Sequence, residues 1–163
     1  MSDPGAASAP FCRLGPEPID ARALEARVIG PDRGAIATFA GIVRDHHEGR
    51  PVRRLEYTAY EPMAERILSD IAREASRRFG TSHIAVQHRL GPLAVGETSI
   101  VVTAAATHRR EALAACAWVI DEVKARAPIW KKEFGDDGVF WIEGPGSCRS
   151  QEPEKPAGGA GTA

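Results

Sequence analysis

The sequence predicts an α+β fold with a mostly antiparallel sheet and two main helices. Apolar, β-branched runs of strand length recur through the middle of the chain, each bounded by Gly-, Pro- or Asp-rich turns. Two longer segments instead carry apolar residues at three- and four-residue spacing, the stripe of an amphipathic helix. At 163 residues no second domain is needed to bury a core.

Taken in order, residues 1–17 and 144–163 are rich in Pro, Gly, Ala and Ser with little apolar periodicity, and read as flexible tails around a domain of residues 18–143. "GAIATFAGIV" (34–43) is a strand, "RDHHEGRP" a charged loop, and "VRRLEYTAY" (52–60) a second strand that a hairpin would pair with the first. From Glu61 to Phe79, Met63, Ile67 and Ile71 recur at four-residue spacing beside Ala64, Leu68, Ala75 and Phe79, and Gly80 is a helix stop. "HIAVQHRLG" (83–91) and "TSIVVTAAAT" (98–107) are two further strands around the turn "GPLAVGE". A second helix is expected from about His108 to Arg126, with Thr107 as N-cap and Leu113, Ala117, Ile120 and Val123 on its core face. Pro128 ends it, because proline disfavours a helical Ala127 and has no N–H to donate. "IWKKEF" and "GVFWIE" are two short strands around "GDDG".

Composition narrows the function classes. A net charge of −1 removes the bulk electrostatic argument for nucleic-acid binding, although a local basic pocket for a small anion is compatible with it. No run of about 18 apolar residues occurs, so no spanning helix is expected, and the first residues lack a signal peptide's basic start and apolar core. The expected location is cytoplasmic, with no membrane partner. Cys12, Cys116 and Cys148 have no ligand-like spacing and read as reduced thiols. The adjacent His46 and His47 have no further ligand at helical spacing, so no metal is expected.

The chemistry-bearing residues are basic. The chain has 17 Arg and only 4 Lys, yet Lys124, Lys131 and Lys132 fall within nine residues. Lysine can lose a proton and act as nucleophile or acid, which a guanidinium cannot do at ordinary pH. Lys131 and Lys132 are neighbours on an extended segment, so only one can share a face with Ile129. Pro128 and Trp130 could shield an amine there from water, which lowers a lysine's pKa. His108 and Arg109 open the second helix, where unpaired N–H groups and the helix dipole favour an anion. Arg44, at the end of the first strand, could hold a phosphate or carboxylate. Phe39 is either core or the wall of a ring-binding pocket. No serine elbow, phosphate-cradling glycine loop or dinucleotide fingerprint occurs.

"GAIATFAGIVRDHHEG", "LEYTAYEPMAE", "HRLGPLAVGE", "THRREA" and "KARAPIWKKE…DGVFW" follow one another in the order and spacing of the large, catalytic subunit of molybdopterin synthase, which this chain resembles over about residues 18–143. The resemblance implies an α/β-hammerhead fold working as a homodimer. It further implies that each protomer binds a small ubiquitin-like sulfur carrier, giving a heterotetramer. The carrier's C-terminal Gly-Gly thiocarboxylate would donate sulfur to cyclic pyranopterin monophosphate, forming the dithiolene of molybdopterin without metal or organic cofactor.

By the same resemblance Lys124 and Lys131 are the catalytic lysines, and Lys132 and Glu133 lie at the substrate site. His108 and Arg109 match a substrate-binding pair, Ile42, Val43 and Arg44 a second binding stretch, and Phe39 a position near the site. Two departures stand out. Ile42 occupies a position where many relatives carry a basic residue, and Gly144-Pro145-Gly146 follows the last tryptophan segment, leaving Arg149 as the first basic candidate there. Two other readings compete with the synthase: a non-catalytic module that holds a ubiquitin-like tail, and a basic-pocket nucleotide or RNA binder. The second lacks a basic stripe interleaved with aromatics.

Overall fold

A computed structural model of the chain describes residues 9–81, 83–143 and 147–149. The first strand, β1 (Phe11–Gly15), is followed by helix α1 (Ala21–Val28), β2 (Ala35–Ile42), the two-residue strands β3 (His46–His47) and β4 (Arg50–Pro51), and β5 (Arg54–Ala59). Helix α2 (Glu61–Phe79) leads to β6 (His83–Arg89), β7 (Gly91–Ala94) and β8 (Thr98–Ala106). Helix α3 (Arg109–Arg126) precedes β9 (Ile129–Gly135), β10 (Gly138–Glu143) and β11 (Ser147–Arg149). The architecture is α+β and mostly antiparallel, with three helices among the described residues. No described helix is long and apolar enough to cross a membrane.

A four-stranded sheet in the order β1-β6-β8-β2 carries the core; only its β1–β6 pair is parallel. One face is covered by α2 and α3, which bury Leu68, Ile71, Val119 and Val123 against Val86, Val102 and Ala104. The other face is covered by α1, whose Leu24 and Val28 pack on Ala85, Val101 and Ala105. Because both faces of β8 are covered, Ser99–Ala106 is buried without a break, and its sequence loses the alternation of a half-exposed strand. Each fully buried Leu or Ile here contributes roughly 2 kcal/mol by removal from water.

The second sheet runs β11-β10-β9-β5-β7 and is antiparallel between described neighbours. The hairpin expected between the strands at 34–43 and 52–60 does not form. β2 pairs with β8 and β5 pairs with β7 and β9, so the two strands belong to different sheets. The loop between them closes on itself instead, as the β3–β4 hairpin.

Three further expectations are corrected. The supposed N-terminal tail contains β1, which pairs with β6 from Phe11↔Ala85 to Gly15↔Arg89, so the folded unit begins before residue 18. It also extends past residue 143, because β11 pairs with β10; the other residues of 144–163, and Cys148's side chain, lie outside the described part. Helix α1 is an addition, started by Asp20, whose carboxylate accepts from the Arg22 and Ala23 backbone N–H at 3.0 and 3.2 Å.

Helix α2 has the expected ends, with Gly80 left-handed at φ 65° as its C-cap. Helix α3 starts one residue late, with His108 rather than Thr107 at the N-cap. Its core face is Ala112, Ala115, Cys116, Val119, Ile120 and Val123, whereas Leu113 is 61% exposed. The alanine-rich face nests closely on the sheet and the leucine is left outside.

Candidate active site

β9 begins straight after the turn that Pro128 imposes on the end of α3, and its alternation sorts the lysines. Ile129, Lys131 and Glu133 leave one face, opposite Tyr57 and Leu55 of β5 and Ile142 of β10 in the strand register. That face looks into a cavity of about 450 Å³ between the second sheet, the end of α3 and the ends of β2 and β8. Trp130 and Lys132 leave the opposite face, so Trp130 does not shield Lys131. Lys132 lies 5.1 Å from the centroid of Trp141 and 5.4 Å from that of Phe134, in cation–π contact with both.

Lys124 reaches the same cavity from the last turn of α3, and Phe39, Ile42 and Arg44 reach it from β2 and the residues after it. Gly41 makes that wall possible: a Cβ there would stand 2.8 Å from the Ile100 Cγ2. Three cations (Arg44, Lys124 and Lys131) and one carboxylate (Glu133) therefore face one space, which suits an anionic ligand. Neither Arg44 nor Lys124 has a carboxylate partner among the described residues, so both remain available to such a ligand.

Glu133 is the exception to this exposure. Its side chain is 5% exposed, and each oxygen has its own partner: Oε1 lies 3.0 Å from Lys131 Nζ and Oε2 lies 3.0 Å from His47 Nδ1. A buried carboxylate is stable only when paired in this way. Sequence reasoning missed His47; the signal was a pair of histidines in a charged loop, with nothing local to show which one turned inward. His46 turns out to solvent and pairs with Asp45.

The inner end of the cavity holds Tyr57, His88 and Ser99, also missed. Burial pulls the His88 imidazole down to about 4, opposed by its Nδ1–H donation to the Arg89 carbonyl at 2.8 Å. His88 is therefore neutral at ordinary pH, with Nδ1 as the protonated nitrogen. Its ring meets Tyr57 edge-on, centroids 4.9 Å apart. Burial likewise pushes the Tyr57 phenol above its ordinary value, so both groups offer uncharged polar atoms to a ring.

Besides Lys132, three expected residues lie elsewhere. Val43 is buried with Val52, Leu55 and Leu93 in a small core cluster, where its side chain supports the cavity wall from behind. His108 and Arg109 are exposed at the far end of α3; Arg109 is 15 residues before Lys124, roughly 22 Å along the helix axis at 1.5 Å per residue, and His108 is one residue further. Within one chain they cannot touch a small ligand held by Lys124.

The family model described as "MoaE protein" matches residues 14–126. The molybdopterin synthase catalytic subunit of Pyrococcus abyssi is 46% identical over 129 residues, covering 79% of this chain and 87% of that protein. That of Arabidopsis thaliana is 50% identical over 116 residues, but these cover 71% of this chain and only 59% of the plant protein. Among solved structures, molybdopterin synthase from Staphylococcus aureus superposes with a TM-score of 0.76 at 34% identity, covering 80% of this chain and 95% of that one.

Proposed function

This chain belongs to the MoaE protein family, and from that premise we propose that it is the catalytic subunit of a molybdopterin synthase in molybdenum cofactor biosynthesis. It transfers sulfur from the C-terminal thiocarboxylate of a small ubiquitin-like carrier subunit to cyclic pyranopterin monophosphate. The observation that carries this reading is the convergence of Lys124 and Lys131 on one cavity, from a helix end and a strand, with Arg44 at its edge.

Lys131 and Lys124 are the catalytic groups. Thiocarboxylate and phosphate are both anions, and charge develops on the acyl group as its sulfur leaves. Fixed ammonium groups beside that position lower the barrier by being in place before the charge appears. Arg44 binds an anionic group of the substrate, and Phe39, Ile42 and Ile142 provide apolar walls for the pterin ring. Glu133 holds Lys131, and Val43 and Lys132 support the strands from outside the cavity.

His108 and Arg109 bind substrate as well, but for a neighbouring protomer. The length of α3 separates them from their own chain's lysines, so in the homodimer a second copy supplies them. Two such protomers with two carriers make the heterotetramer, and its location is cytoplasmic.

The test mixes the purified chain with thiocarboxylated carrier and cyclic pyranopterin monophosphate, and follows the pterin by mass spectrometry beside a Lys131→Ala control. Gain of two sulfurs by the wild type alone is expected. Carrier binding without sulfur movement would overturn the catalytic reading in favour of a module that only holds the carrier tail.

A further inference from the structure

We propose that His47 is a positioning residue for Lys131 and acts through Glu133; this rests on the sulfur-transfer reading of the cavity. Glu133 projects from the middle of β9 into a place almost closed to water, and a carboxylate there needs donor partners on both oxygens. Lys131, on the same strand face two residues earlier, satisfies Oε1 only. With that contact alone the carboxylate could turn about its terminal bond and the lysine would follow. His47 closes Oε2 at 3.0 Å from 86 residues away in sequence, so the carboxylate plane is fixed from two independent elements. A carboxylate can only accept, so the proton of this bond lies on His47 Nδ1.

The loop is built to deliver that nitrogen. His47 pairs with Arg50 across a two-residue turn, Glu48-Gly49, in which both residues have positive φ (48° and 76°). Such turns match the twist of a hairpin, and glycine takes the conformation freely, but glutamate does so at a cost of about 1 kcal/mol. Glu48 is the one non-glycine residue with positive φ among those described. The hairpin is pinned at both ends. The Val52 N–H donates to the Asp45 carbonyl at 2.8 Å, and the Arg50 guanidinium stacks 4.0 Å from the Phe140 centroid, whose residue sits opposite Glu133 in the sheet. A strained tight turn anchored beside the residue that its histidine contacts is an arrangement for aiming that side chain.

The experiment compares His47→Ala and His47→Asn in the sulfur-transfer assay and, separately, in competition labelling of lysine amines read by peptide mass spectrometry. Asparagine places an amide N–H close to where Nδ1 stands and cannot titrate. His47→Ala is expected to lower kcat roughly 10-fold with KM for the pterin within about 2-fold, and His47→Asn to recover most of that loss. Labelling of Lys131 relative to Lys124 should rise about 3-fold in His47→Ala and stay near wild type in His47→Asn. Wild-type kcat in His47→Ala would overturn the proposal. So would a His47→Asn variant as slow as His47→Ala, which would make the imidazole a proton carrier, or a change in KM alone, which would make it a substrate contact. Labelling needs no turnover. If the wild type moved no sulfur, the functional reading would fail, and an unchanged Lys131 labelling ratio would still overturn the positioning role.

Discussion

Lys131 Nζ stands 3.0 Å from Glu133 Oε1, and the two side chains leave the same face of β9 two residues apart. The pair ties chemistry to stability, because the carboxylate is buried and the ammonium at the cavity is its partner. Lys131→Ala should therefore do two things. Sulfur transfer should fall at least roughly 100-fold, as expected when a preorganised charge is removed from a reacting centre. Urea unfolding should also show a loss of about 1–3 kcal/mol, because Glu133 keeps only His47. A variant with unchanged stability would show that water replaces the amine at no cost.

Lys132 gives the opposite expectation. It stacks on Trp141 and Phe134 on the outer face of the sheet. Lys132→Ala should leave kcat and KM within about 2-fold of wild type. A large rise in KM for the pterin would place Lys132 at the substrate after all.

Arg109 and Lys131 should complement each other between chains. Arg109→Ala and Lys131→Ala are each expected to be nearly inactive. Co-expressed, they form mixed dimers in which one of two sites has both residues, so roughly a quarter of wild-type turnover should return. No recovery in mixed dimers would mean that Arg109 does not serve the neighbouring protomer's cavity.

His88 makes stability depend on pH with a definite sign. Its folded-state value of about 4 lies below the ordinary 6.5, so protons bind the unfolded chain more readily. The contribution is present in full above pH 6.5 and is lost as pH falls from there toward 4, on the order of 3 kcal/mol. Denaturant unfolding at pH 7 and pH 5 should show a larger drop for wild type than for His88→Gln. Equal drops would mean that His88 is protonated in the folded protein.

Much of the fold was legible where a pattern is local and long. Helix α2 occupies Glu61–Phe79 as its spacing and Gly80 require, and β8 reads as a strand from its unbroken β-branched run. Helix α1 was not legible, since eight residues with two buried positions, Leu24 and Val28, give too little periodicity. The face of α3 was misread because alanine is weakly apolar. Leu113 outweighed Ala112 and Ala115 in the pattern, yet the small residues fit the sheet. The hairpin between β2 and β5 failed for another reason: adjacency in sequence favours pairing, but β2 pairs with β8 and β5 with β7 and β9, all distant in sequence and in separate sheets.

The sequence by itself determined that Ile129, Lys131 and Glu133 share a face and that Lys132 does not, because side-chain alternation is a property of the backbone. It also determined, through five ordered motifs, the family resemblance and with it the reaction. Only the tertiary structure decided that His47 meets Glu133 across 86 residues, that Lys124 joins Lys131 while Arg109 stays a helix length away, and that His88 loses its charge. These depend on which surfaces close together and exclude water, and burial is a sum over the whole chain that no short segment encodes.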